Sequence, residues 1–406
     1  MLSGVGGVRA HPYRSSKAAG SDSKGAKCSC LPLLLQRPTI PRYSGSGETV
    51  RLKGSKNFRY RIVSAMLSGR PIVISDIRAE DESPGIKDYE ASFLQMVDLV
   101  SSGSSISINE TGTKLRYKPG AIEGGRGFEL KHECPTSRGI GYFLEPLLLI
   151  SIFGKKPTEI TLTGVTDSSK DLCIDTIRNV TAGLIRHFGV EEKVSIKVLV
   201  RGVAPKGGGK VSSPFLFLEF CQPVSLLEPG KIKRFRGTSY VCRCSPQFAN
   251  RMVTSARGIL NRFIPDVYIH TDHCKGKAGG LSSGFGVSMT AESINGFVLS
   301  TQCIPTESSM PEEVGEKCAK QLVEQIAQGG CVDSNHQGMM CVLMALSPED
   351  VSRLRIGKLS KPAIDILRLL QTFFGVTFMI KPDNKTNTVL LSCVGAGFQN
   401  FSRKHC

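Results

Sequence analysis

From residue 50 onward the chain repeats one order of elements: a short β-rich run, a helix with an apolar stripe, then two strands joined by a glycine-containing turn. This recurrence constrains the fold more than any other feature, because a unit of this size has an apolar face that it cannot bury alone. In the first copy, 71–77 reads as a strand, 89–101 as a helix with Phe93, Met96, Val97 and Val100 on one face, and 105–117 as a hairpin turning near Gly112. The second copy has an apolar helix over 141–152, a strand over 159–164, and a helix over 172–188 with Ile177, Val180, Leu184 and Phe188 at helical spacing. It closes on the alternating strand 194–200 and a return strand over 211–220. The third copy places helices over 312–328, 338–346 and 363–374, then a hairpin pairing 376–380 with 388–393.

Between the second and third copies the order changes to strand (231–244), helix (246–263), strand (266–270) and hairpin (287–302, turning at Asn295-Gly296). The expected architecture is therefore α/β, with a main domain over 49–228 and 311–406 interrupted by an inserted α/β domain over 229–310. Residues 1–48 are rich in Ser, Gly and Pro and lack periodicity. They carry Arg9, Arg14, Lys17, Lys24, Lys27, Arg37 and Arg42 against Asp22 and Glu48, and read as a disordered basic extension. An organelle transit peptide shares that composition, but the only apolar run there, 31–35, is broken by Pro32.

Among 406 residues, 52 Lys and Arg against 35 Asp and Glu leave a net charge of +17, which points to a polyanionic partner bound through phosphates. A membrane span is not expected, since the best apolar run, 142–154, is short and contains Glu145 and Pro146. Fourteen cysteines in such a chain are too dilute for a disulfide scaffold, and Cys221, Cys318, Cys341 and Cys393 sit singly in apolar runs, as reduced core residues do. The pairs Cys28/Cys30 and Cys242/Cys244 lack the spacing of a structural zinc site, so no metal and no cofactor is assigned.

Two segments are candidate phosphate contacts. In Arg201-Gly-Val-Ala-Pro-Lys206-Gly207-Gly208-Gly209-Lys210 the glycines let backbone N–H groups approach an anion while Lys206 and Lys210 supply charge. A hairpin whose glycines merely supply positive φ explains the same letters equally well. In Lys231-Ile-Lys233-Arg234-Phe-Arg236 four cations in six residues could follow a sugar-phosphate backbone, or could simply protect a solvated strand edge. His270, Asp272, His273 and Cys274 gather metal-capable side chains without a recognised spacing, and surface polar residues are the expected reading. Glu80-Asp-Glu82 reads as a solvated loop rather than a Mg²⁺ site. His132, Asp333 and His336 could serve acid–base chemistry, but nothing in the sequence pairs them, so each is expected to be structural.

Together these segments resemble the RNA 3′-terminal phosphate cyclase family over nearly the whole chain from about residue 50. The resemblance rests on Arg59 followed by Ser68-Gly-Arg-Pro71, on Ile77-Arg-Ala79 with Pro84-Gly85, on Arg201-Gly through Pro205-Lys-Gly-Gly-Gly209, and on Gly329-Gly-Cys-Val-Asp333. It implies a large domain of three βαβαββ-type repeats with a smaller α/β domain inserted before the third. His132-Glu-Cys134, Arg138-Gly-Ile-Gly-Tyr-Phe-Leu-Glu145 and Pro229-Gly-Lys-Ile-Lys-Arg-Phe-Arg-Gly237 look like the cyclase-like branch found in eukaryotes. That branch implies work on pre-rRNA in the nucleolus as part of the small-subunit processome, in early cleavages leading to 18S rRNA. It also implies partnership with the U3 small nucleolar ribonucleoprotein machinery and a nucleolar GTPase.

True cyclases attack ATP with a histidine of the last repeat, forming a covalent nucleotidyl-enzyme. This chain has no histidine between His336 and His405, and the corresponding segment reads Ser360-Lys-Pro362. The acidic residue and Gly-Gly-Gly-Gln run that precede the cyclases' arginine are replaced by Leu52-Lys-Gly-Ser-Lys56, and the Asp-Gln of the third repeat by Gly338-Met339. The resemblance thus implies a non-cyclising RNA scaffold that keeps Arg59, Arg201 and the Lys206–Gly209 loop. Two enzymatic alternatives are a pre-rRNA endonuclease and, disfavoured by the missing histidine, a surviving cyclase.

Overall fold

The structure, a computed structural model, describes residues 48–124, 129–155, 159–190, 194–214, 218, 221–306 and 308–398. Residues 1–47, with the expected basic extension and the Cys28/Cys30 pair, lie outside the described residues.

Alternating apolar residues make β1 (Val50–Lys53), which passes through a left-handed Asn57 into helix α1 (Phe58–Ser68). Gly69, at φ 65°, ends that helix in the left-handed conformation that glycine adopts without a Cβ clash. There follow β2 (Ile72–Ser75), α2 (Asp88–Val100), the short β3 (Ser101–Ser102), β4 (Ser105–Ile108), β5 (Leu115–Lys118) and β6 (Ala121–Ile122). The first sheet has the order β1-β2-β5-β4, parallel at β1/β2 and antiparallel beyond, while β3 and β6 pair by themselves.

The next segment contains β7 (Glu129–Glu133), α3 (Gly141–Ser151), β8 (Glu159–Gly164), α4 (Ile174–Thr176), α5 (Ala182–Arg186), β9 (Lys197–Val200) and β10 (Gly209–Pro214). Its sheet, β7-β8-β10-β9, repeats the same sequence of one parallel and two antiparallel junctions. Helices α4 and α5 are joined by a π-helical turn at Ile177–Thr181, so the continuous helix expected over 172–188 is interrupted.

After β11 (Ser225–Leu226) comes the inserted sheet: β12 (Ile232–Cys242), α6 (Gln247–Leu260), β13 (Val267–Cys274), β14 (Gly284–Ser293), β15 (Val298–Cys303) and α7 (Pro311–Gln328). Its order, β13-β12-β14-β15, differs from the others. The chain then forms α8 (Gln337–Leu346), β16 (Val351–Ile356), α9 (Lys361–Phe374), β17 (Met379–Asp383) and β18 (Thr388–Val394). The sheet β11-β16-β18-β17 shows the same junction pattern as the first two.

These three sheets and helices α1, α2, α3, α8 and α9 bury one continuous core, in which α3 and α8 are buried along their whole length. A helix apolar on every side requires neighbours on every side. A second core joins α6 and the inserted sheet to Val314, Cys318, Ala319 and Leu322 of α7. The sequence expectation ends the insertion at residue 310. The spacing of those four residues instead puts the apolar stripe of α7 against α6, β14 and β15, so by packing that helix goes with the inserted sheet. The α/β class is as expected. Helix α1 and strand β16 were not among the expected elements. Most of α1 is buried, so it presents little polar face for periodicity to reveal.

Candidate functional site

Helices α1, α2, α3, α8 and α9 meet a cavity of about 680 Å³ with their N-terminal ends, and α7 lines it with Gln321, Glu324 and Gln325 of its C-terminal half. Asn57, Phe58 and Arg59 open α1, Tyr89 and Glu90 lie in the first turn of α2, Tyr142 in that of α3, Gly338 in that of α8, and Ser360, Pro362 and Ala363 at the start of α9. Unpaired backbone N–H groups and the positive dipole end make each such terminus favourable for negative charge. The first turn of α1 contains no acidic residue and no side-chain cap, whereas Asp171 accepts from the Gly139 N–H just before α3, and Asp333 caps the start of α8 by accepting from the Asn335 and His336 N–H groups. In α9, Ser360 accepts from the backbone N–H of Ala363 and Pro362 occupies the first turn, which is ordinary start chemistry for a helix.

Three arginines line the same cavity, each held by a carboxylate. Arg59 donates to Glu145 Oε2 at 3.1 Å and to the carbonyl of Tyr142 at 2.8 Å, and Tyr60 donates to the other Glu145 oxygen at 2.7 Å. Arg138 forms a two-pronged pair with Asp171, Nη2 at 2.5 Å from Oδ1 and Nε at 2.9 Å from Oδ2. Arg78 bonds both oxygens of Glu90, at 2.6 and 2.8 Å. Tyr142 stacks between two of these cations, its ring 4.4 Å from the Arg59 guanidinium carbon and 4.5 Å from that of Arg138. Burial works against the charge on Arg59, and Glu145 together with Tyr60, Tyr142 and Asp171 more than offsets it, so the guanidinium stays above its ordinary pKa. Burial likewise pushes the Tyr142 phenol up, with Arg59 opposing.

The loop before α1 is fixed from behind. Arg61 donates to the carbonyls of Gly54 at 2.6 Å and Lys53 at 3.0 Å, which places Ser55 and Asn57 on the cavity wall. The loop carrying Asp171 is held by the inserted sheet: Gln302 of β15 donates to the Asp171 carbonyl at 2.7 Å and accepts from the Cys173 N–H at 2.6 Å.

Arg201 lies elsewhere and is closed off. It is 3% exposed, bonds Asp167, Asp175 and Asp272 at 3.1, 2.8 and 3.2 Å, and stacks on Tyr240 at 4.5 Å. Burial opposes its charge, and Asp167 and Asp175 hold its pKa well above the usual value. Carboxylates outnumber cations here even with Arg178 on Asp175, so burial and the neighbouring Asp175 push Asp167 up despite Arg201. Arg201 therefore has no free edge for a phosphate.

The glycine run beside it is also occupied. Gly207 donates to the Val203 carbonyl at 2.9 Å and accepts from Leu281 at 2.9 Å, while Gly209 pairs in β10. A Cβ at Gly208, whose φ is 76°, would stand 2.7 Å from Leu281 Cγ. These glycines dock the β9–β10 turn on the inserted sheet, and Gly207 and Gly208 take positive φ. Lys206 is exposed at that turn and Lys210 half-buried. On β12, Arg234 is paired with Glu292 and Arg236 with Asp266, whereas Lys233 and, just before the strand, Lys231 are exposed with no ion pair among the described residues.

His270 and Asp272 do not converge with His273, because strand alternation sends adjacent side chains to opposite faces and Asp272 is engaged by Arg201. Among the described residues no group of three or more His, Cys, Asp or Glu side chains is placed to hold a metal ion. Glu80, Asp81 and Glu82 are exposed. Asp333 and His336 were expected to be unpaired, but they form a buried pair at 2.7 Å. Asp333 also accepts from Ser300 Oγ at 2.6 Å, and the far nitrogen of His336 meets Thr181 Oγ1 at 2.8 Å. The i, i+3 spacing at the start of α8 was the available signal for this pair. His132 is buried against Ser92.

A model of the RNA 3′-terminal phosphate cyclase family matches residues 50–380. The chain belongs to that family. It is 45% identical over 369 residues to the probable RNA 3′-terminal phosphate cyclase-like protein of Dictyostelium discoideum, covering 87% of this chain and 99% of the relative. The corresponding Mus musculus protein is 45% identical over 362 residues, 86% and 96% of the two chains. The rRNA processing protein rcl1 of Schizosaccharomyces pombe is 41% identical over 365 residues, 88% and 99%. The segments 52–56, 338–339 and 360–362, which the sequence resemblance sets apart from the cyclases, all contribute to the cavity wall through Ser55, Gly338, Ser360 and Pro362. Of the residues proposed from sequence, the cavity contains Arg59 alone. Arg138, Tyr142 and Glu145 stood in a motif that carried the family resemblance and were not singled out, because their convergence depends on α1 packing on α3.

Proposed function

We propose that this protein is a ribosomal-RNA-processing factor that holds precursor rRNA through phosphate contacts and does not cyclise RNA ends. Its expected setting is the nucleolus, in early small-subunit maturation toward 18S rRNA, beside the U3 machinery and a nucleolar GTPase. The observation that carries this reading is the composition of the cavity wall. Convergent helix N-termini favour an anion beside a wall on which Arg59, Arg78, Arg138 and Lys170 are balanced by Glu90, Glu145, Asp171 and Glu324, and none of the described lining residues is a histidine. Nucleotidyl transfer through histidine needs an imidazole nitrogen that can reach phosphorus. The neighbouring His336 is fully buried with one nitrogen on Asp333 and the other on Thr181. The name of the Schizosaccharomyces pombe relative supports the assignment to rRNA processing.

Two measurements test it. Purified protein incubated with radiolabelled ATP and Mg²⁺ should form no nucleotidyl adduct that survives denaturation, and a stable adduct would overturn the non-cyclising assignment. Depletion from cells should leave 18S precursors uncleaved, with rescue by the wild-type chain and poorer rescue by Arg59→Ala. Normal processing after depletion would remove the proposed role. Cleavage of a pre-rRNA fragment by the purified chain, lost on substitution of a cavity carboxylate, would replace the scaffold role by a nuclease.

A further inference from the structure

Strand β13 is an edge of the inserted sheet. Val267 and Ile269 enter the core shared with α6, so alternation turns Tyr268 and His270 to the opposite face. There Tyr268 is 58% exposed, in register with Arg236 of β12, and His270 is exposed in register with Thr238. Further along the strand this face closes: Asp272 engages Arg201. The strand then runs out into Lys275-Gly-Lys277, where both lysines are exposed.

That loop is tied to the β9–β10 turn by the backbone. Arg201 N–H donates to the Ala278 carbonyl at 3.1 Å, Gly280 N–H to the Arg201 carbonyl at 2.6 Å, and Lys206 N–H to Ser282 Oγ at 3.0 Å. Lys206, Lys275 and Lys277 thus ride on one cross-linked knot, and none has an ion pair among the described residues. From Tyr268 to Cys274 the strand covers roughly 20 Å at about 3.3 Å per residue, room for several nucleotides.

We propose that this strip is a track for single-stranded RNA, with a base stacked on Tyr268 and the following phosphates held by Lys206, Lys275 and Lys277. It rests on the RNA-binding reading above and gives it a place outside the cavity. An exposed aromatic on a flat sheet face can stack any unpaired base, and cations beyond it neutralise the backbone. Duplex RNA offers Tyr268 no unstacked base.

The test uses the full chain and a fluorescein-labelled 12-nucleotide oligouridylate, read by anisotropy across a salt series. Tyr268→Ala should weaken binding about ten-fold while Tyr268→Phe keeps it, because stacking needs the ring and not the hydroxyl. The double variant Lys275→Gln, Lys277→Gln should make the log–log salt slope shallower by about 1.4, roughly 0.7 for each phosphate contact on a single strand. A labelled duplex of the same length should be indifferent to Tyr268→Ala. The side chains are exposed, and unchanged thermal midpoints would show that each variant is folded. If the wild-type chain binds the oligonucleotide and all three substitutions leave binding unaltered, the track is overturned while RNA binding stands. If equal losses are seen on duplex and single strand, stacking is overturned. If the wild-type chain does not bind at all, the RNA reading itself falls.

Discussion

Arg59 and Arg201 each lie on a tyrosine ring and are each held by carboxylates, but their surroundings give them opposite uses. Arg201 sits at 3% exposure among Asp167, Asp175 and Asp272, with all of its polar edge committed. Arg59 keeps 19% of its side chain open to the cavity and has one carboxylate, Glu145, in company with Arg138 and Arg78. A buried guanidinium that loses its carboxylates strands charge in low dielectric. One at a cavity wall can exchange a carboxylate for an incoming phosphate at small cost. The same residue type therefore binds domains together in one place and can receive a ligand in the other.

The sharpest way to break this contrast is Arg201→Met. It should destabilise the protein by about 3–5 kcal/mol in chemical denaturation, because three carboxylates are left without their shared cation. A loss below about 1 kcal/mol would show that the cluster is open to solvent. His336→Asn comes next, at about 3 kcal/mol, by removing the cation from buried Asp333. Burial lowers the His336 pKa, but Asp333 raises it further, so the folded value lies above the ordinary 6.5. The stabilisation is fully present below 6.5 and is lost as pH rises through the folded value, and His336→Asn should remove that alkaline decline. The Asp333 pKa is lowered by His336 against its burial, so its share is present above the ordinary 3.8 and lost as pH falls through the folded value.

Gly208→Ala should cost about 1–3 kcal/mol, from a left-handed φ and the contact with Leu281, and loosen the docking of the β9–β10 turn. Arg59→Ala should change stability less than Arg201→Met and weaken inorganic phosphate binding about ten-fold by calorimetry, the scale of one charge-assisted hydrogen bond. If Arg59→Ala unfolds the protein as readily as Arg201→Met, the contrast fails. The smallest effect belongs to Lys206→Gln, which should leave stability unchanged and make the salt slope of single-stranded RNA binding shallower by roughly 0.7.

Much of this was legible in the letters. Recurring periodicity marks many of the strands and helices, though not α1 or β16, and Asn295-Gly296 marks the β14–β15 hairpin, where Gly296 takes φ 85°. Arg59 was found because it stands in a motif. The Asp333–His336 pair escaped because the two residues touch only once a buried cap brings them together. Arg201 reads in the sequence as a phosphate contact, whereas in the structure it is engaged by three carboxylates from positions 167, 175 and 272. Sequence spacing says nothing of such distant partners.

By itself the sequence determined the α/β class, the family, the positive charge and the lack of any histidine between His336 and His405, all of which are properties of local pattern or residue identity. The tertiary structure alone decided which cations are spent and which are available. Charge is neutralised by neighbours in space, and the packing of α1 on α3 and of the inserted sheet on the 165–176 loop sets those neighbours.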